Sequence, residues 1–304
     1  MNWFLVGLIP PALWSITNHL DKYLLSKYFK GEGVGALMVF SSLIGLFLLP
    51  FIYFLNPNIF NISLLNAVLI SINGFFYVLA VLPYFYALER DEASIIVPLF
   101  QLMTPLSYLL AYFVLGETLT TLQIIAGILV IAGAVGISLE TVKGKVIRIK
   151  KDVLGLMFLS SLLFTLNFLF FKFFAQKTDF WTTAFWEYVG FAVFALILMV
   201  FVRPYRIQFV DVMKKNRIPV IALNGLNELI NIVAKVSFNF ASLLAPITLI
   251  WVVNGTQPFF VFFYGILITL FLPKLGKESL AKEHLIQKIL SIIVMGIGTY
   301  LLAC

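Results

Sequence analysis

Ten stretches of about twenty mostly apolar residues follow one another with little between them, and that run length leaves the chain few ways to fold. They cover roughly 2–21, 33–55, 64–88, 93–115, 121–139, 153–175, 180–202, 217–242, 245–272 and 284–303, here called spans 1 to 10. In hydrocarbon every backbone N–H and C=O must be paired inside the protein, and about 20 residues is the length of a spanning helix, twice that of a spanning strand. The sequence therefore predicts an all-α integral membrane protein of ten transmembrane helices, with no room for a soluble domain. Composition agrees: 62% of residues are hydrophobic and 12% charged, against about 25% charged in soluble domains. Span 1 lacks the basic start and small-x-small cleavage site of a signal peptide, so it is read as a mature helix.

The scarce chemistry excludes several functions. The single cysteine, Cys304, permits no disulfide framework and no thiolate metal cluster. Neither His19 nor His284 sits in a metal-binding pattern, and no Gly-rich phosphate loop occurs. No metal site, cofactor or catalytic residue is expected. The net charge of +7 comes from short loops and not from a basic module, so it points to topology and not to nucleic acid. Eighteen of the 21 basic residues fall in or around the loops after spans 1, 3, 5, 7 and 9, leaving Lys172, Lys177 and Lys235. By the positive-inside rule those loops are cytoplasmic and both termini lie outside, in a multi-pass protein of a prokaryotic plasma membrane.

The two halves repeat. Ala93-Ser-Ile-Ile-Val-Pro-Leu-Phe-Gln101-Leu-Met-Thr-Pro105 recurs as Pro246-Ile-Thr-Leu-Ile-Trp-Val-Val-Asn254-Gly-Thr-Gln-Pro258, matching Gln101 to Asn254 and Pro105 to Pro258 at a separation of 153. Gly116-Glu117-Thr-Leu matches Gly276-Lys-Glu278-Ser-Leu, and Asn73-Gly74 matches Asn224-Gly225. Residues 1–140 form a first five-helix repeat, 141–152 a basic connecting loop and 153–304 a second repeat. Five is odd, so the second repeat enters the membrane inverted, as in secondary transporters whose site lies at the repeat interface.

The pattern Ala93, Pro105, Leu115-Gly-Glu117-Thr-Leu-Thr, Gln123, Gly127 and Gly133, with its degenerate second copy, resembles the EamA-like branch of the drug/metabolite transporter superfamily. The resemblance implies two inverted five-helix repeats, with spans 1, 3, 4, 6, 8 and 9 around a cavity and spans 5 and 10 peripheral. It also implies transport of amino acids, other small metabolites or drugs. Members of that branch usually have cytoplasmic termini and a basic loop after span 2; here that loop has no basic residue.

Span 8 carries Asn224, Glu228, Asn231, Lys235 and Asn239 at steps of four, three, four and four, which puts them on one helix face. Charges inside a membrane are costly and need partners or a use. Glu228 and Lys235 are two turns apart and lean away from direct pairing. They can bracket a zwitterion, Lys235 taking a carboxylate and Glu228 an amine, unless Lys235 is answered by Glu187 of span 7. Tyr77 and Tyr84 of span 3 are the aromatic counterparts of Glu228 and Lys235. Gln101, Trp251 and Asn254 lie beside the prolines of spans 4 and 9, where interrupted helices expose backbone to a cavity. Trp14 and Asn18 share a face of span 1, and Asn167 is the polar group of span 6. Lys22 and Lys172 are expected to snorkel to the surface, and Glu117 and Glu278 to serve helix ends. Glu89-Arg-Asp-Glu92 reads as a solvated turn.

The expected function is a secondary transporter for an amino acid or similar zwitterionic amphipathic metabolite, working by alternating access. Glu228, or Glu187, is the expected proton-coupling group. The alternatives are a broad cation or drug exporter and a lipid or polyprenyl-phosphate flippase. An enzyme would need a nucleophile, base and orienter in reach, or a metal cluster, and the scarcity of His and Cys leaves only carboxylates for that work. The expected partners are a small-molecule substrate and membrane lipid, with no nucleic acid, in a monomer or homodimer.

Overall fold

The structure is a computed structural model that describes residues 2–28, 34–91, 96–138, 141–142, 145–146, 151–271 and 282–303. Glu92, Ala93, Gly276, Glu278 and Cys304, all named above, lie outside them, as do several of the basic loop residues.

Every apolar stretch falls on helix. In the first half, α1 (Trp3–Gly7) and α2 (Ile9–Lys27) make span 1, α3 (Val34–Leu55) span 2 and α4 (Leu64–Arg90) span 3. A 3₁₀ segment, Val97–Leu102, leads into α5 (Met103–Leu115) as span 4, and α6 (Thr121–Ser138) is span 5. A two-residue antiparallel pairing of Thr141–Val142 with Lys145–Val146 precedes the second half. There α7 (Lys151–Lys177), α8 (Phe180–Phe201), α9 (Arg203–Leu244), α10 (Ile247–Asn254), α11 (Gln257–Phe271) and α12 (Lys282–Ala303) follow. Among the described residues seven helical spans are long and apolar enough to cross a membrane, and Thr121–Gly136 and Ile286–Leu302 are shorter apolar helices.

Two boundaries differ from expectation. Helix α9 starts at Arg203 and not near residue 217, because its basic first turns have a seat: Tyr205 and Gln208 fill the space beside Gly35, and the Tyr205 hydroxyl bonds that of Tyr86 at 3.0 Å. Pro105 and Pro258 do not kink continuous helices. Each sits in the first turn of a new one, after the 3₁₀ segment and after the Gly255-Thr256 break, where a missing N–H costs nothing.

Helix ends carry their own signals. Ser63 caps α4 through Asn66 N at 3.3 Å, and Asp179 caps α8 through Thr182 N at 2.9 Å. Gly116, at φ 67°, closes α5 while Glu117 N reaches back to Ala111 O at 3.2 Å.

Packing obeys an exchange rule. α4 lies against α7 as α9 lies against α2; α5 meets α7 as α11 meets α2; α4 meets α8 as α9 meets α3. Each relation maps onto the other when a span is replaced by the one five further on. α3 with α8 and α6 with α12 map onto themselves. The packing of residues 3–138 and that of residues 151–303 are thus related by exchange. Close approach in the centre depends on glycine: a Cβ at Gly74 or Gly190 would run into the carbonyl oxygen of Glu187 or Ser71. The outer surface is apolar, with Phe47, Phe51, Phe113 and Phe201 exposed, while Asn, Ser, Thr, Glu and Lys side chains are buried inside. That inverts the distribution of a soluble domain and suits lipid.

Candidate substrate cavity

A cavity of about 100 Å³ lies between the halves. Spans 1, 3, 4, 6, 8 and 9 wall it, as the motif implied, and α6 and α12 do not. Two further helices reach it: α3 with Met38, Ser41 and Ile44, and α8 with Tyr188 and Phe191. They do so because α3 and α8 each wedge against α4 and α9, so their inner faces close gaps in the wall.

Nine of the residues singled out from sequence line this cavity: Trp14, Asn18, Tyr77, Tyr84, Glu228, Asn231, Lys235, Trp251 and Asn254. Asn231 sits between the two charges of α9 and is occupied by protein. It accepts from Trp14 Nε1 at 2.9 Å, meets the Tyr77 hydroxyl at 3.1 Å, and donates to Glu228 Oε2 at 3.4 Å.

Lys235 does not stand free. Its ammonium lies 3.1 Å from Glu187 Oε1 and 3.2 Å from Asn167 Oδ1, over the rings of Tyr77 and Phe168 at 4.6 and 4.5 Å. Glu187 and Asn167 are buried behind the wall and do not line the cavity. Asn167 Nδ2 donates to Glu187 Oε1 at 2.7 Å and to Asn73 O at 2.9 Å, and Asn73 returns a bond to Asn167 O at 3.1 Å. This reciprocal clasp joins α4 to α7 and explains why the polar group of span 6 faces a neighbour and not the space.

Glu228 has no such cation. Ser41 donates to its Oε1, and Asn231 is its other partner. Beside it stands a carboxylate that sequence reasoning missed. Asp21 of α2 is 7% exposed, lines the cavity, and is close enough to Glu228 for the two to repel. It accepts from Asn227 Nδ2 at 2.7 Å and from the Tyr84 hydroxyl at 3.2 Å. Among the described residues no basic side chain pairs with either acid. The signal was there: Asp21 is seven residues after Trp14, about 20° short of two full turns, whereas Lys22 is about 80° past them. Lys22 instead donates to Leu88 O and Asp91 O at 2.9 and 2.8 Å, at the C-terminal end of α4. Asn227 and Ser41 were also missed, because neither stands out within its apolar run.

Three expected groups lie elsewhere. Asn224 is fully buried off the wall with both amide atoms unpartnered, and Gln101 is buried against Gly255, also off the wall. Lys172 does not snorkel. It is buried, 2.5 Å from Glu117 Oε1 and 2.8 Å from Ala245 O, while Glu117 Oε2 accepts Ile247 N at 2.8 Å. The acid of the Gly-Glu turn thus serves a helix end, that of α10, and brings two chain segments of the second half onto the first. With the helix start offering a donor and Lys172 an ammonium, both oxygens are answered at once.

A multi-pass helical membrane protein with a central cavity lined by polar and aromatic side chains has the build of a small-molecule transporter. Residues 1–139 match the EamA-like transporter family, which bears out the resemblance carried by the motif. That family is one of membrane transporters of the drug/metabolite type. A solved crystal structure, described only as that of a protein, superposes on 98% of this chain and 94% of its own with a TM-score of 0.63 at 15% identity, a likeness of fold. No curated protein matches the chain.

Proposed function

We propose that the protein is a secondary transporter of small amphipathic amines, driven by alternating access of its two halves and coupled to protons. One observation carries this: the cavity presents two carboxylates, Asp21 and Glu228, that no basic side chain among the described residues answers, among aromatic walls from Trp14, Tyr77, Tyr84 and Tyr188. An ammonium entering there relieves the repulsion between the acids, and the rings cover its apolar body. Protons compete for the same oxygens, so substrate entry on one side and proton entry on the other exchange across the membrane. The amino-acid alternative keeps one support, that Lys235 also touches the cavity. A substrate carboxylate would there have to displace Glu187.

The test is thermal stabilisation of the detergent-solubilised protein by phenethylamine at pH 6 and pH 8, since a ligand that prefers the folded state raises its apparent stability. The amine stays protonated across that range while the carboxylates gain protons as pH falls, so the shift should be larger at pH 8. Asp21→Asn with Glu228→Gln should erase it. No shift in the wild type, or an undiminished shift in the double variant, overturns the proposal.

From the one-sided loop charge we also infer that both termini face outside. Cys304, the single cysteine, should then react with a membrane-impermeant maleimide in intact cells; labelling only after lysis reverses the orientation.

A further inference from the structure

Trp251 and Asn254 stand one turn apart on α10, and both line the cavity at 3% and 5% exposure. Residues three apart on a helix present neighbouring side chains. Trp251 Nε1 and Asn254 Oδ1 have no partner among the described residues. A buried donor and a buried acceptor left open side by side are costly unless something binds them.

What makes Asn254 offer its oxygen is a line of hydrogen bonds running back to Asp21. Asn254 Nδ2 donates to Gln257 Oε1 at 3.1 Å, and Gln257 Nε2 donates to Asn18 Oδ1 at 2.7 Å. Asn18 Nδ2 then donates to the Tyr84 hydroxyl at 2.8 Å, and Tyr84 donates to Asp21 Oδ2 at 3.2 Å. All the donors point one way. An ionised carboxylate only accepts, and Asp21 accepts on both oxygens, the other bond coming from Asn227. Tyr84 must therefore give its proton to Asp21 and receive from Asn18. Each amide has one nitrogen end and one oxygen end, so every later member is fixed in turn. The last, Asn254, has its carbonyl oxygen left over, on a residue that lines the cavity. The five residues are 3% to 7% exposed, come from α2, α4, α10 and α11, and all line the cavity.

We propose that Trp251 and Asn254 form a second subsite that takes a neutral hydroxyl or carboxamide on the substrate, and that Asp21 sets its hydrogen-bonding sense through Tyr84, Asn18 and Gln257. The subsite rests on the amine-transporter proposal above and narrows its substrate class. The substrate is an amine at one end, apolar in the middle, with a group at the other end that donates to Asn254 and accepts from Trp251. A tertiary amine with purely apolar substituents would use only the acidic end.

Three matched amines separate the contributions. Phenethylamine has no polar far end, 4-methoxyphenethylamine can only accept there, and tyramine can accept and donate. Isothermal titration of the purified full chain at pH 8 should rank tyramine first, the methoxy compound second and phenethylamine third, with about tenfold between first and last. Trp251 packs on Phe168 and Phe238 at 5.2 and 4.4 Å, and Trp251→Phe keeps an aromatic ring there while removing the N–H together with the pyrrole part of the indole. It should bring the methoxy compound level with phenethylamine. Asn254→Ala should remove the advantage of tyramine over the methoxy compound. Gln257→Leu, which frees Asn254 to turn over, should shrink that same advantage from a distance. Ratios within each variant are unaffected by how well it folds. Equal binding of all three amines by the wild type, or an unchanged ranking in Asn254→Ala, overturns the subsite alone. An unchanged ranking in Gln257→Leu overturns the relay. Binding of none of them overturns the amine-transporter proposal and the subsite with it.

Discussion

The two charged places along α9 differ in what answers them. At Lys235 a cation meets an anion, Glu187, at 3.1 Å, with side chains 3% and 1% exposed, an amide oxygen from Asn167 and aromatic faces around them. Two turns earlier Glu228 shares the cavity with a second acid, Asp21, and among the described residues both receive only neutral donors: Ser41, Asn231, Asn227 and Tyr84. Hydrogen bonds from neutral groups stabilise a carboxylate without cancelling its charge. In charge the first place is balanced without a ligand, although Glu187 Oε2 has no hydrogen-bond partner among the described residues, and the second is not balanced. In a membrane protein, where an unanswered charge is expensive, incompleteness is the better guide to where a ligand goes.

The largest effect expected from this contrast is on stability. Glu187→Gln leaves the Lys235 ammonium buried without its anion and should cost about 3–5 kcal/mol, whereas the isosteric loss of both charges in Glu187→Gln with Lys235→Met should restore most of it. Asp21→Asn and Glu228→Gln remove one of two like charges, so each should change stability by less than about 1 kcal/mol or raise it. Unfolding of the purified variants in a mixed-micelle denaturant series measures all four. Equal losses at the two places would erase the distinction between them.

Much of the contrast could be read before the fold was known, and the rest could not for identifiable reasons. The length of the apolar runs was sufficient for an all-α multi-pass membrane protein. The stripe on span 8 picked out Glu228, Asn231 and Lys235 because the period of one helix is written in the sequence. Which charge faces which depends on contacts between helices, and these are not. Glu187 was a possible partner for Lys235, yet nothing local distinguished pairing with protein from pairing with substrate. Asp21 was passed over because it precedes Lys22 at what looks like a helix end, where charges are ordinary. It becomes informative only once Tyr84 and Asn227 are seen on it. Asn167 looked like a lining group because it is polar in an apolar run, and only the clasp with Asn73 takes it out of the cavity. The glycines at 74 and 190 are similar: the sequence contains them, but the backbone oxygens they make room for belong to other helices.

The smallest expected effect is the most discriminating. Glu228 and Lys235 are seven residues apart, about 10.5 Å along the helix axis, and sites so separated act nearly independently. Neutralising the closed pair with Glu187→Gln and Lys235→Met should therefore alter phenethylamine affinity by no more than about threefold. Phenylalanine, which adds a carboxylate to the same skeleton, sharpens the comparison. If Lys235 is committed to Glu187, the wild type should bind phenylalanine more weakly than phenethylamine, because the added anion meets two acids and finds no free cation. In the variant both ligands should keep that order. Should phenylalanine instead be the tighter ligand of the wild type and lose its advantage in the variant, Lys235 belongs to the substrate. The place that looks complete would then be the resting form of a carboxylate site, with Glu187 as the ion that the substrate displaces.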